Sequence, residues 1–442
     1  MRTGTTARSI AFTGAALLAL TACGGETEEG GDTGAEGGGE KQVNIYGTDG
    51  NMGNALGEDF SEPGALAGMK GTLPLTDLSS DFRDRLLEID PDLQDYNYAG
   101  ETYDAVVISA LAAQMAGTND ANVFKAYVNG VTFGGDKCED FTSCLEIVNS
   151  GGNPDYDGIS GPLAFAEPGE PAVASYGIQQ FGEDNTIDDE ATEFVFAGDE
   201  ENAASDEGPA PAPAGTTGEP LVIGYLLPET GNLAFLGPPE IAAFNLAIND
   251  INAAGGVLGA PVRAEGGDSG DTSTDTATQT VDRLLQAGVN VIVGAASSGV
   301  SQTVIDTITG AGVMQISPAN TSDIFTTYND NGLYFRTAPP DLLQGQALAD
   351  LILADGNNTV GILALNDPYG TGLAESTREN LIAGGLAEGD IETIIYDPQA
   401  ANFDSEVQQM VEMNPDAIVV IGFEESSKII QGLNAQGIGP QR

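Results

Sequence analysis

The side chains that could do chemistry are hydroxyls and one carboxylate placed where strands end. "GAASSG" sets Ser297 and Ser298 after the apolar run "VNVIVG" and before a helical stretch. "SPANTSD" repeats the arrangement, with Asn320 and Thr321 following "VMQIS". Hydroxyls and free backbone N–H groups at a helix start suit a carboxylate, helped by the helix dipole. The same serines are also ordinary N-caps. Both roles can coexist, because position rather than residue type makes such a site. In "KQVNIYGTDGN" a strand at 43–46 runs into a turn whose one carboxylate is Asp49. Asp-Gly is also ordinary turn chemistry.

What is missing narrows the chemistry further. The chain has no histidine and no tryptophan, which removes Ser-His-Asp and Cys-His catalysis and histidine-based metal sites. No D-x-[DN]-x-[DN]-G calcium loop is present. "GGVLGAP" at 255–261 has the glycines of a dinucleotide loop, but it follows a helix rather than a strand, so its context fails. No catalytic residue, metal or cofactor is expected. The balance of 67 acidic to 14 basic residues, formally −53, excludes nucleic acid, whose phosphates need basic patches. Carboxylates at this density repel one another and salt relieves the repulsion. A salt-adapted, halophilic host follows; acidic drift for solubility is the plainer reading.

The elements that must position these residues fall into two blocks. At 442 residues, 41% apolar, the chain is long enough for two or three domains at roughly 150 residues each. Residues 1–23 read as a signal peptide: a basic start, the apolar "IAFTGAALLAL", then "LTAC", which resembles a bacterial lipobox with Cys23 as the lipid-bearing residue. Several acyl chains on that cysteine would make a stable anchor. Residues 24–40 are an acidic, glycine-rich tether, and the Pro/Ala-rich run 199–219 is a semi-stiff linker. Between them, 41–198 has too few strands for a sheet of its own. After the linker, 220–442 alternates strands ("LVIGYLL", "VNVIVG", "TVGILAL", "AIVVIG") with glycine-stopped helices, the signature of parallel sheets with right-handed crossovers. Cys138 and Cys144 are close enough for a small disulfide loop outside the cytoplasm, with a metal site as the weaker alternative.

At "VGAASSG", "QISPANTSD", "NDPYGTG" and "GTDGN" the chain resembles the type I solute-binding proteins of ABC importers, in their Leu/Ile/Val-binding branch. The resemblance implies an α/β fold of two Rossmann-like lobes with parallel sheets, joined by a three-strand hinge, with a small ligand between them. It also implies a reversed order. In the family the part like 220–442 comes first and the part like 41–198 follows. Joining Arg442 to Lys41 restores helix, short loop and strand, so the chain reads as a circular permutant; a fragment of a tandem repeat would read the same. Lobe one would then combine 220–338 with 76–158, and lobe two 339–442 with 41–75 and 159–198.

The resemblance assigns roles. Ser298, with Ser297, meets the carboxylate of an amino acid; Asn320 and Thr321 divide between carboxylate and ammonium. Asp49 stands where the family places the acidic partner of the ammonium. Tyr369 and Phe423 come from lobe two, and Leu236 from a side-chain pocket. The function implied is a lipid-anchored, extracytoplasmic receptor, monomeric, that closes on branched-chain or other apolar amino acids and docks on an ABC permease. Amide- or urea-binding members are the near alternative, and a ligand sensor or surface lipoprotein is the other.

Overall fold

The apolar runs pair as parallel strands in two sheets. The computed structural model describes residues 43–205 and 208–440; the signal segment, Cys23 and the tether lie outside the described residues. In chain order the first block holds β1 (Asn44–Thr48), α1 (Asn54–Glu58), β2 (Lys70–Pro74), α2 (Ser80–Ile89), α3 (Ala99–Ala116), α4 (Ala121–Phe124), β3 (Asp136–Cys138), α5 (Phe141–Asn149), β4 (Pro154–Tyr156), β5 (Val173–Gln180) and β6 (Glu193–Gly198). The second holds β7 (Val222–Leu227), α6 (Gly237–Ala253), β8 (Arg263–Asp268), α7 (Thr276–Ala287), β9 (Val291–Gly294), α8 (Ser298–Gly310), β10 (Met314–Ser317) and β11 (Tyr334–Arg336). It continues with α9 (Asp341–Ala354), β12 (Val360–Leu365), α10 (Pro368–Ala383), β13 (Ile391–Tyr396), α11 (Asp404–Met413), β14 (Ala417–Ile421) and α12 (Ser426–Gln436).

The five-stranded sheet runs β11-β10-β9-β7-β8, all parallel. The seven-stranded sheet runs β13-β12-β14-β1-β2-β5-β6. It is not wholly parallel: β5 and β6 enter antiparallel at one edge. The strands of the first block form no large sheet of their own; β1 lies between β14 and β2, parallel to both. Each sheet is covered on both faces. A core centred on α3, α5 and α6 packs one face of the five-stranded sheet, and α7 and α8 pack the other. A third core joins the seven-stranded sheet to α9, α10 and α12. Among the described residues the chain passes between the two sheets' layers four times, after β2, after β4, after β6 and after β11. This is a two-lobe α/β fold.

Two stretches are less regular than their residues suggest. Residues 121–131 read as one helix, but form the four-residue α4 followed by two short 3-10 turns, Lys125–Tyr127 and Asn129–Thr132. Glycine at 130 and β-branched Val128, Val131 and Thr132 favour a helix poorly there. Part of the expected linker is docked: Ala212 donates its N–H to Met115 O at the end of α3 (2.7 Å), and Gly218 to Leu258 O (3.1 Å). Cys138 and Cys144 are joined in a disulfide, Cα–Cα 5.2 Å, tying β3 to α5. No described helix is long and apolar enough to cross a membrane.

Candidate functional site

A small, tight cavity lies between the two sheets. Most of its wall comes from residues just beyond the carboxyl ends of parallel strands, where open α/β sheets hold their ligands. From the five-stranded side come Leu233 and Leu236 after β7, Ala296, Ser297 and Ser298 after β9, and Ala319 after β10. From the seven-stranded side come Asp49 and Gly50 after β1, Tyr369 after β12 and Phe423 after β14. Tyr98, at the start of α3, completes the wall.

Six of the eight residues expected at the site therefore meet here: Asp49, Leu236, Ser297, Ser298, Tyr369 and Phe423. Ser297 caps α8, its Oγ accepting the Val300 N–H (3.3 Å), and Ser298 opens the helix. One hydroxyl thus serves the helix, while its neighbour Ser298, also on the cavity wall, accepts the Ser322 N–H through its Oγ (3.4 Å). Tyr369 sits in the first turn of α10, which Asp367 caps through Gly370 N (2.7 Å).

Asn320 is placed differently. It is fully buried, its amide donates to Ala296 O (2.7 Å), and its Oδ1 accepts from Tyr334 Oη (3.0 Å). It fastens the loop after β10 to the loop after β9, and its neighbour Ala319 reaches the wall. Thr321 is also off the wall. Its carbonyl accepts the Asp341 N–H (2.6 Å), and its hydroxyl has no hydrogen-bond partner within the protein.

Asp49 is the electrostatic centre of the cavity. It is 5% exposed. Its Oδ2 accepts from Tyr98 Oη (2.8 Å), and its Oδ1 from Gln344 Nε2 (2.8 Å) and Tyr369 Oη (2.9 Å). Burial pushes its carboxyl up, while the three hydrogen bonds pull it back. The donors are all neutral, and the described ion pairs leave Asp49 without a cation. Neutral donors orient a carboxylate but leave its charge uncompensated, and a buried charge is costly until paired. Gly50 beside it is required by close approach: a Cβ there would lie 2.6 Å from Gly422 O and 2.9 Å from the Phe423 ring.

Several contributors carry no clear signal in the sequence. Tyr98 adopts a left-handed backbone, φ 58°, as the residue preceding α3; nothing in "DYNYAGE" distinguishes it from its neighbours. Gln344 and Asp341 lie one turn apart on α9, a helix marked only by "PPD" at its start and Gly356 at its end. Asp341 is fully buried near the Thr321 hydroxyl, and burial, then Asp323, raise its pKa well above the usual range. Arg336 is fully buried as well. Its Nε donates to Glu170 Oε2 (3.0 Å), and its NH1 donates to the carbonyls of Asn320 (3.1 Å) and Ser322 (2.8 Å). It thereby fixes the loop that carries Ala319 and Thr321. Among the described residues no group of three or more His, Cys, Asp or Glu side chains could hold a metal ion.

Two sheets with a cavity at their strand ends, carrying a helix start on one side and a buried acid on the other, define a two-lobed solute-binding protein. Residues 220–442 match the family model described as periplasmic binding protein, and the chain belongs to that family. It is 29% identical over 170 residues to the Leu/Ile/Val-binding protein BraC3 of Rhizobium johnstonii, covering 38% of this chain and 46% of the relative. It is 24% identical over 212 residues to a Leu/Ile/Val-binding protein homolog 3 of Brucella melitensis, covering 48% and 56%. Among solved structures it resembles the branched-chain amino acid transporter substrate-binding protein LivJ of Streptococcus pneumoniae in complex with isoleucine. That match has 28% identity and TM-score 0.43, over 50% of this chain and 62% of that one. The chain spans about half the length of the curated relatives it matches. The family's description, periplasmic binding protein, is that of a binding role outside the cytoplasm.

Proposed function

We propose that this protein is a lipid-anchored receptor that binds branched-chain or other apolar α-amino acids by closing two lobes and delivers them to an ABC permease. The observation that carries the reading is Asp49: a buried carboxylate oriented by three neutral donors, lacking a cation, in a cavity that faces the start of α8. An α-amino acid supplies both missing charges, its ammonium to Asp49 and its carboxylate to Ser298 and the helix N–H groups. Leu233, Leu236 and Phe423 leave an apolar wall for the side chain. Because each lobe holds part of the contacts, ligand stabilises the closed arrangement.

The reading includes attachment through Cys23, action as a monomer, and the domain limits given above. It also includes a circularly permuted order of the two blocks. Supporting that order, β1 lies in register between β14 and β2, and Val43 and Pro440 line one common cavity.

Thermal melts at high salt against the twenty amino acids, urea and short amides test the ligand class. Leucine, isoleucine and valine are expected to raise the midpoint, with calorimetry confirming a single site. A rise with urea or acetamide alone would replace this reading with amide binding. No rise with any of them would leave a sensor or a surface lipoprotein.

A further inference from the structure

The strip Asp95-Tyr96-Asn97-Tyr98, between α2 and α3, grips the turn that carries Asp49. Asp95 Oδ2 accepts the main-chain N–H of Asn54 (3.0 Å), and Oδ1 accepts from Asn54 Nδ2 (2.7 Å). Asn97 Nδ2 donates to Met52 O (2.9 Å), and Tyr98 Oη donates to Asp49 Oδ2 (2.8 Å). Four hydrogen bonds from one four-residue strip thus fall on the six residues 49–54. The strip belongs to the lobe of the five-stranded sheet, where Leu93 and Tyr96 pack on the α3–α6 core and Arg83 lies over the Tyr96 ring, 5.5 Å from its centroid. The gripped turn belongs to the other lobe, and Asn54 is tied there by its Oδ1, which accepts the Ile187 N–H (2.8 Å).

We propose that Asp95 and Asn97 are a clasp that holds the two lobes closed through contacts made outside the ligand cavity, so that they position Asp49 without touching ligand. The inference rests on the receptor reading above for its meaning, but not for its geometry. Neither residue lines the cavity, whereas Tyr98, next along the same strip, does. The Asp95 carboxyl is oriented by Asn54 alone. Burial pushes it up to about 6, the Asn54 bonds pull it back, and the nearby charges, Asp189 and Glu58, push the same way as burial, so no cation competes for it. Every hydrogen bond of the clasp joins the two lobes, and hinge opening would break all of them together. Losing both side chains removes all of these bonds, and should change the closed-to-open ratio about tenfold or more. A receptor whose binding-competent state is less populated shows a correspondingly weaker apparent affinity.

The test measures the interlobe distance on the full chain, with spin labels at Gln279→Cys on α7 and Gln408→Cys on α11, both exposed. In the wild-type background a short-distance, closed population is expected with and without L-leucine. In Asp95→Ala/Asn97→Ala that population should fall about tenfold relative to the open one without ligand. Asn97→Ala alone, a milder change, should give an intermediate shift. Calorimetry with L-leucine should show about tenfold weaker binding in the double variant. Equal distance distributions in all three proteins, or a wild type lacking the short distance without ligand, would overturn the clasp. If L-leucine fails to bind the wild type, the receptor reading falls while the distances still decide the clasp.

Discussion

The rings of Tyr369 and Phe423 stack at 5.5 Å between centroids and 8° between planes, while the Tyr369 hydroxyl holds Asp49 Oδ1 at 2.9 Å. One pair thus builds the apolar wall and orients the acid. The hydroxyl also lies 2.7 Å from Thr48 Oγ1 and accepts from Gly50 N (3.3 Å). Tyr369→Phe keeps the stack and removes the hydroxyl. A hydrogen bond to a charged group is worth about 1.5–3 kcal/mol, so L-leucine should bind about tenfold or more weakly by calorimetry, with little loss of thermal stability. Phe423→Ala should cost both affinity and stability, because a buried ring, 6% exposed, leaves a cavity worth about 3–5 kcal/mol.

Asp49 predicts opposite signs for stability and binding. Its folded pKa is raised by burial, so the unfolded chain gives up this proton at lower pH than the folded one. Its penalty on folding is absent below the unfolded carboxylate range and grows as pH rises toward the folded pKa. Asp49→Asn should therefore melt higher than wild type at pH 7 without ligand, and equally at pH 3. The same variant should bind L-leucine at least about tenfold more weakly, since it offers no charge to the ammonium. Wild-type affinity should fall as the pH drops through the raised pKa. Melts with and without leucine at both pH values check all three outcomes; unchanged affinity would remove Asp49 from the site.

The residues legible in the sequence are those tied to parallel strands. "VIVG" and "AIVVI" are short apolar runs ending where a loop must turn into a helix, and residues beyond such runs fall on one edge of a sheet. That is why the amino-acid pattern points to Ser297 and Ser298, why the family resemblance could add Tyr369 and Phe423 after similar runs, and why Asp49 joins them once β1 is read as a continuation of α12. The residues that escape such a reading lie on elements without periodicity. In α9, "DLLQGQALADLILA", apolar and small residues run nearly all round, Leu342 and Ala354 even on its exposed stripe, so no 3.6-residue signal marks Asp341 or Gln344. β8, "RAEGGD", is a sheet-edge strand with no apolar run. Asn320 departs from its expected role for a different reason. The loop after β10 does reach the cavity, but one residue earlier, at Ala319, because Tyr334 and Ala296 claim the Asn320 amide.

Arg336 should separate folding from positioning. Arg336→Met leaves Glu170 buried without its cation, a loss of about 3–5 kcal/mol, and also frees the carbonyls of Asn320 and Ser322. Removing both charges in Arg336→Met/Glu170→Leu should recover most of the stability in denaturant titrations, since well-packed apolar pairs replace buried ion pairs at little cost. Affinity for L-leucine should stay reduced in the double variant, because the Asn320 and Ser322 carbonyls then lose the guanidinium that holds them. Full recovery of both would reduce Arg336 to a structural ion pair.

Glu101 and Glu240 lie in the α3–α6 core, one turn behind the residues those helices give the cavity, Tyr98 and Leu236. Glu240 is fully buried and neither carboxyl oxygen has a hydrogen-bond partner. Burial, reinforced by Glu101, raises its pKa well above the usual range; burial, with Asp104 adding to it, raises Glu101 to about 8. Both carboxyls therefore stay protonated near neutrality in the folded protein and ionise in the unfolded chain. Their penalty is absent below about pH 4, grows through the interval up to about pH 8 for Glu101, and levels off above it. Glu101→Gln should raise the unfolding free energy by about 1–3 kcal/mol at pH 7 and by nothing at pH 4. Glu240→Met, which fills the same space without orphaned oxygens, should stabilise with the same pH dependence. Urea titrations at pH 4 and pH 7 decide it: equal gains at both would mean that packing, not ionisation, sets the cost of burying these acids.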